Sequence, residues 1–423
     1  MNTPALLMAD PEGNICAHPR LRMAVGSARH RRLPRPEELI ALPKGSTLFS
    51  LPGRAPVGFD PQTQRQITVE EYQGIPVTAV AAFLIPAFLR LALPAYAVRQ
   101  PQALPLWAYT AAGFRKGKFY VCAVRVDARI RQSPRFYDSR RIQHKVNSFY
   151  QKSPRNRLYA HLANCALNYN CLAAKNLFLE RWEAPLPTAQ SCNARCVGCL
   201  SYQDSDCAAS HNRIRFRPTV EELCEVMTHH LNTAREAIVS FGQGCEGEPL
   251  TETPLIAESI ARVRARTSRG TIHMNTNASM PDKIETLCKA GIDSFRVSLN
   301  SVRKELYHAY FRPRGYTFRD VLESIAIAKR RRKFVSLNLL IFPEVTDDAR
   351  EAAALLKFLT RTKIDMIQWR NLNIDPEQYL PCVRPWLTHP QGLIALHART
   401  RNRFQGLKSG YFNLPTRSFS TSL

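Results

Sequence analysis

From residue 180 onward the chain alternates short apolar runs with amphipathic stretches of helical period, and this alternation limits its fold more than any other feature. The runs end near residues 186, 241, 274, 299, 342 and 369, and the last five read AIVSF, TIHM, SFRVSL, VSLNLLIF and MIQW. Between them stand TVEELCEVMTHHL and residues 255–263, 284–290, 318–328 and 349–359. Thr219 and Glu222 open the first of these with the pattern of a capping box. Strand–helix alternation repeated about six times predicts an α/β fold whose parallel sheet, joined by right-handed crossovers, is curled or doubly wound. Either form collects its chemistry at the carboxyl ends of the strands.

Directly after the first run comes CNARCVGC, in which Cys192, Cys196 and Cys199 stand at the spacing C-x3-C-x2-C. Three thiolates on one side of a short loop can each hold a corner of a cubane cluster and leave its last corner open. A closed structural zinc needs a fourth ligand, for which Cys207 and His211 are the nearby candidates. That zinc reading makes the chain a nucleic-acid-binding module without catalysis. The strand ends weigh against it. The second run leads into FGQGCEGEPL, where glycines permit close backbone approach and Glu248 can accept hydrogen bonds from an ammonium group. The third ends with Asn275 and Asn277, the fourth with Ser298 and Asn300, the sixth with Gln368 and Arg370 around Trp369. One such ending alone is an ordinary turn or cap. Four in order behind a three-cysteine loop read as the wall of a ligand pocket.

CNARCVGC followed by CEGEP, NTNAS and SLNS on successive β/α units resembles the radical S-adenosylmethionine (SAM) superfamily. The resemblance covers roughly residues 178–375. It implies a partial (β/α)6 barrel related to the TIM barrel. It also implies a [4Fe–4S] cluster held by Cys192, Cys196 and Cys199, with SAM bound through its amino and carboxylate groups at the fourth iron. Reductive cleavage would then give a 5′-deoxyadenosyl radical for hydrogen abstraction, with an external flavodoxin- or ferredoxin-type electron donor. By the same resemblance Gly247 and Glu248 match the element that binds the methionine amine, and Ser298 and Asn300 match ribose and carboxylate contacts. Arg312 resembles an arginine that pairs with the carboxylate, and Leu340 lies in the motif that touches adenine. Two positions depart from the pattern. Gly198 stands where an aromatic residue is common, with Tyr202 nearby, and Glu246 replaces a glycine, either to serve substrate chemistry or to face an arginine.

The remaining chain is read in two parts, an α+β, loop-rich accessory region over residues 1–177 and a basic tail over 376–423, flanking the core at 178–375. Residues 1–75 are rich in proline and predict extended, loop-rich chain. Residues 106–126 predict a hairpin around RKGK, and 156–178 predict a helix. VTAVAAFLIPAFLRLALPAYAV, residues 77–98, is broken by Pro86, Arg90 and Pro94, so a buried segment is expected there and no membrane span. The opening MNTPALLMADPEG lacks a basic region and a sustained apolar core, so no secretory leader and a cytoplasmic setting are expected. Lys and Arg number 59 against 34 Asp and Glu, a net charge of +25 that favours an anionic partner, RNA above all, or marks a surface that simply runs basic. Residues 115–157 concentrate this charge, with Phe136, Tyr137, Phe149 and Tyr150 interleaved either to stack bases or to enter the core. The cysteines after residue 300 number only Cys382, which argues against a C-terminal extension with auxiliary clusters, while Cys165, Cys171 and Cys207 leave a further metal site open.

Overall fold

Residues 5–125 pair into an antiparallel sheet of eleven strands, more regular than their prolines suggest. The computed structural model describes residues 3–26, 30–105, 108–131, 133–203 and 209–420. Prolines are tolerated in this sheet because they fall where no ladder N–H is needed. Pro19, for example, lies in the irregularity between Ala17 and Arg22, where the register against the first strand shifts. The predicted hairpin is present as strands Tyr109–Arg115 and Lys118–Arg125. Residues 77–98 form short, mostly buried strands, with Pro86 in the gap between Thr78–Phe83 and Phe88–Arg90 and Pro94 paired with Val25, and no helix among the described residues is long and apolar enough to cross a membrane. Alternate side chains divide between two faces: Ala79 and Ala81 join the main core, whereas Val80 and Ala82 join a smaller cluster with Leu7 and Val121.

Three helices follow, α1 (Ser139–Lys152), α2 (Arg157–Leu167) and α3 (Leu172–Phe178). The single helix expected over 156–178 is therefore two. Asn170 adopts a left-handed φ of 54°, and the Cys171 amide donates to the Cys165 carbonyl at 2.9 Å across the break. Helix α1 lies within the basic stretch and buries Ile142, Val146 and Phe149. Phe149 packs edge-on against Tyr159 and Phe178, so it belongs to the core, while Tyr150 is exposed.

The apolar runs form a parallel sheet in chain order: β1 (Arg181–Pro185), β2 (Arg235–Phe241), β3 (Thr271–Thr276), β4 (Ser294–Leu299), β5 (Phe334–Ile341), β6 (Met366–Asn371) and β7 (Lys408–Gly410). The first six are those read from the sequence, and the short β7 comes from the basic tail. Sequential order in one parallel sheet is the topology of a curled partial barrel. Its connections carry α4 (Val220–Thr233), α5 (Thr253–Arg264), α6 (Pro281–Ala290), α7 (Lys304–Phe311), α8 (Phe318–Arg330), α9 (Ala349–Thr362), α10 (Pro376–Val383) and α11 (Leu393–Arg403). The Thr219 hydroxyl accepts from the Glu222 amide at 3.2 Å and the Glu222 carboxylate accepts from the Thr219 amide at 2.8 Å, completing the capping box of α4. Val239, Ile272, Phe295, Leu337 and Ile367 from the strands meet Leu223, Ile256, Ile284, Val321 and Leu355 from the helices in one core.

The antiparallel sheet docks on the β6–α10 turn. Arg54 pairs with Asp375 at 3.2 Å, both side chains fully buried. Arg90 donates to the Leu372 carbonyl at 2.8 Å, and Asn371 bonds the backbone of Phe88 and Arg90. These contacts fix residues 371–377, which border the three-cysteine loop.

Candidate active site

The β1–α4 loop carries Cys192, Cys196 and Cys199, and neighbouring backbone clamps it on two sides. On one side the Gly247 amide donates to the Ala189 carbonyl at 2.7 Å and the Glu248 amide to that of Ser191 at 2.9 Å. On the other the amides of Arg195 and Val197 donate to Phe311 and Tyr310 at 3.0 Å, and Arg314 donates to Asn193 at 2.9 Å. The Asn193 side chain accepts from Asn277 and donates to Ser279, both at 2.8 Å, which ties the same loop to the end of β3.

All three cysteines line a cavity of about 430 Å³ together with Arg195, Arg213, Arg312, Arg314, Tyr202 and Gln378. Three thiols around one cavity can each hold a separate iron of a cluster. Burial pushes the Cys192 thiol up to about 11, with Glu248 adding to the effect. Burial also raises Cys196 well above the ordinary thiol range, reinforced by Cys199 and Cys192. Ionising Cys192 and Cys196 side by side calls for positive charge between them, which an iron cluster carries. Arg213 adds a cation at the rim, 3.7 Å from Cys199 Sγ. The donor set therefore fits a [4Fe–4S] cluster.

Glu248 is 4% exposed and sits beside the loop. Its Oε1 accepts from Thr276 Oγ1 at 2.6 Å and from the Leu250 amide at 3.1 Å, and its Oε2 accepts from the Asn277 amide at 2.8 Å. Oε2 keeps one lone pair free for a ligand. Burial pushes this carboxyl up to about 7 despite those donors. Among the described residues Glu246 pairs with no arginine. Its two oxygens take the amides of Thr188, Ala189, Gly242 and Gln243 and the Thr188 hydroxyl, which makes it a staple between the β1 and β2 loops.

Of the other residues read from the sequence, Arg312 reaches the cavity, and Gly247 and Asn277 adjoin it through the clamped loop. Asn275 is braced between the Phe241 carbonyl and His273. Ser298 accepts from Asn338 at 3.0 Å, and Leu340 is half-buried on β5. Asn300 donates to the Leu306 carbonyl and to Tyr379, leaving its buried Oδ1 without a partner. Gln368 is fully buried between Arg296 and Asn413, and Arg370 lies over the Tyr411 ring at 4.1 Å. These six do not line the cysteine cavity. Cys207 lies outside the described residues, and His211 has its Nδ1 at 3.1 Å from Ser210 Oγ. Arg195, Arg213 and Arg314 escape the sequence reading because an arginine near a loop carries no spacing signal.

Gly198 departs from the pattern for a packing reason. A β-carbon there would stand 2.9 Å from the Asn373 carbonyl oxygen, 3.0 Å from Ile374 and 3.2 Å from the Tyr310 hydroxyl. The space that an aromatic side chain would need is filled by the turn on which the antiparallel sheet docks.

Residues 186–356 match the family model described as the radical SAM superfamily. Members of that family use a [4Fe–4S] cluster and SAM. No curated protein matches the chain. Among solved structures, methylornithine synthase (PylB) is 16% identical with a TM-score of 0.37, over 55% of this chain and 66% of that one. Streptococcus suis SuiB bound to S-adenosylmethionine is 13% identical with a TM-score of 0.38, over 60% and 54%. HydG, a maturase of the [FeFe]-hydrogenase, is 15% identical with a TM-score of 0.36, over 61% and 60%. The chain thus spans between about half and two thirds of the length of these proteins.

Proposed function

Since the chain carries a radical SAM domain, we propose that it is a cytoplasmic radical SAM enzyme in which Cys192, Cys196 and Cys199 hold the [4Fe–4S] cluster. The observation that carries this reading is the clamping of the three-cysteine loop onto the strand-end segment bearing Glu248. When bound, the cluster supplies the electron that cleaves SAM to a 5′-deoxyadenosyl radical, after reduction by an external flavodoxin- or ferredoxin-type donor.

The chain's own groups bind and orient. Glu248 accepts a hydrogen bond from the methionine ammonium through the free lone pair of Oε2, and Arg312 at the rim pairs with the methionine carboxylate. Gly247 lets the backbone close against Ser191. Asn277 holds the cysteine loop by its side chain, and Asn275 braces β2 against β3. Ser298, Asn300 and Leu340 at the ends of β4 and β5 complete the nucleoside side, and Gln368 and Arg370 stiffen the barrel interior. Anaerobic reconstitution should give about four irons per chain, lost in Cys196→Ser. Reduction in the presence of SAM should yield 5′-deoxyadenosine. A protein that takes up zinc alone, or keeps its iron in Cys196→Ser, refutes the assignment.

The substrate reading is anionic, with RNA as its leading form, because Arg195, Arg213, Arg312 and Arg314 surround the cavity. The KRRRK run at 329–333 enters β5 from its amino end, opposite the cavity, and Lys329 and Arg331 are there paired with Asp365 and Glu285. RNA binding would therefore run through the arginines of the cavity. Its affinity should fall steeply with salt, and no binding to bulk RNA at low salt would dismiss it.

A further inference from the structure

Away from the cavity, three side chains of metal-ligating type converge behind the loop that carries Glu248. His161 and Cys165 stand four residues apart on α2, which puts them on one face a single turn apart. Cys245 comes from the glycine-rich segment after β2. The imidazole and the two sulfurs offer ligand atoms that all lie within 4.8 Å of one another, with Cys165 Sγ at 3.7 Å from His161 Nε2. Cys165 is 4% and Cys245 6% exposed, and neither is in a disulfide.

We propose that His161, Cys165 and Cys245, completed by Cys171, bind one zinc ion that ties α2 to the loop bearing Glu248. Cys171 occupies the N-cap position of α3, at the break that follows α2. Its amide bonds the Cys165 carbonyl, and its thiol interacts electrostatically with those of both Cys165 and Cys245. Three thiolates and one imidazole form a tetrahedral zinc set, in which bonds of about 2.3 Å to sulfur put the sulfurs about 3.8 Å apart. The ligand atoms of His161, Cys165 and Cys245 are already within about an ångström of that spacing. The same distances disfavour a second iron–sulfur cluster, whose thiolates bind separate irons. A disulfide between Cys165 and Cys245 would leave His161 and Cys171 without a task.

The proposal does not depend on the iron site, and its test separates the two. Full-length protein purified without added metal should contain about one zinc per chain. A triple variant, Cys192→Ser with Cys196→Ser and Cys199→Ser, should keep that zinc while losing iron. After the zinc is removed, this variant should bind about one equivalent of cobalt(II) and show the visible absorption of a tetrahedral thiolate complex. Cys165→Ser and Cys245→Ser should each lower zinc content about tenfold. Where either variant fails to fold, alkylation mapped by mass spectrometry on the unaltered chain replaces it, with zinc shielding Cys165, Cys171 and Cys245. Absence of zinc together with no cobalt spectrum, zinc retained in Cys245→Ser, or recovery of a Cys165–Cys245 cystine from the purified protein overturns the proposal.

Discussion

A β-carbon on Gly247 would stand 1.8 Å from the Ser191 carbonyl oxygen, and that oxygen cannot retreat because it already accepts the Glu248 amide. Gly247→Ala must therefore push the Glu248 segment off the cysteine loop, a strain of about 1–3 kcal/mol. Calorimetric titration of the reconstituted protein should show SAM bound about tenfold more weakly. Unchanged affinity would mean that the clamp does not position the ligand. The three cysteines were legible in the sequence because their spacing falls within one short loop. Tyr310 and Arg213 were not, because they reach the same loop from other segments and only folding brings them there. For Glu246 the sequence left substrate chemistry or an arginine partner open, and five donors from two loops make it structural for a related reason, since only folding brings those loops together.

Helix α9 illustrates what an element can add beyond its own periodicity. Its Glu351, 1% exposed, accepts from Ser301 Oγ at 2.7 Å and from the Val302 amide at 3.0 Å, which joins the helix to the β4–α7 loop. Burial pushes this carboxyl up to about 7. The hydroxyl, the amide and Arg303 oppose that shift, and Asp348 adds to it. In the unfolded chain the group ionises near 4.5. The folded state therefore holds a proton that the unfolded state has released, and stability falls as pH rises from 4.5 through 7. Glu351→Gln keeps an acceptor for the Val302 amide, turns the Ser301 contact into a donation from Nε2 to Oγ, and removes the titrating proton. Between pH 5 and pH 8 its thermal midpoint should fall less than that of the unaltered chain, a difference on the order of 3 kcal/mol. Parallel curves for the two proteins would show that Glu351 does not titrate in this range. The helices of the barrel were legible because their apolar stripes repeat cleanly. Helix α1 was hidden by its charge, and the α2–α3 break by a left-handed asparagine that leaves no mark on periodicity.

At the level of the whole molecule, the parallel sheet was readable from alternation alone, while the docking of the antiparallel sheet was not. That docking rests on pairs such as Arg54 with Asp375, which are 321 residues apart and leave no local pattern. Arg54→Ala would strand a carboxylate that, among the described residues, is otherwise held only by the amides of Leu104 and Glu377. Removing one partner of a buried pair costs about 3–5 kcal/mol. The loss should appear in the thermal midpoint and also in iron retention, since the turn holding Asp375 abuts Gly198 in the cysteine loop. A midpoint within error of the unaltered chain would show the pair to be dispensable. The same pairing has a consequence for biosynthesis. The strands of the first sheet leave the ribosome early and supply carbonyls of Gln100, Gln102 and Tyr109 to the two guanidiniums, but the Asp375 carboxylate that pairs with Arg54 and the Leu372 carbonyl that accepts from Arg90 emerge about 280–320 residues later. Until then Arg54 lacks the Asp375 countercharge and Arg90 the Leu372 carbonyl, so docking of the first sheet waits on the β6–α10 turn.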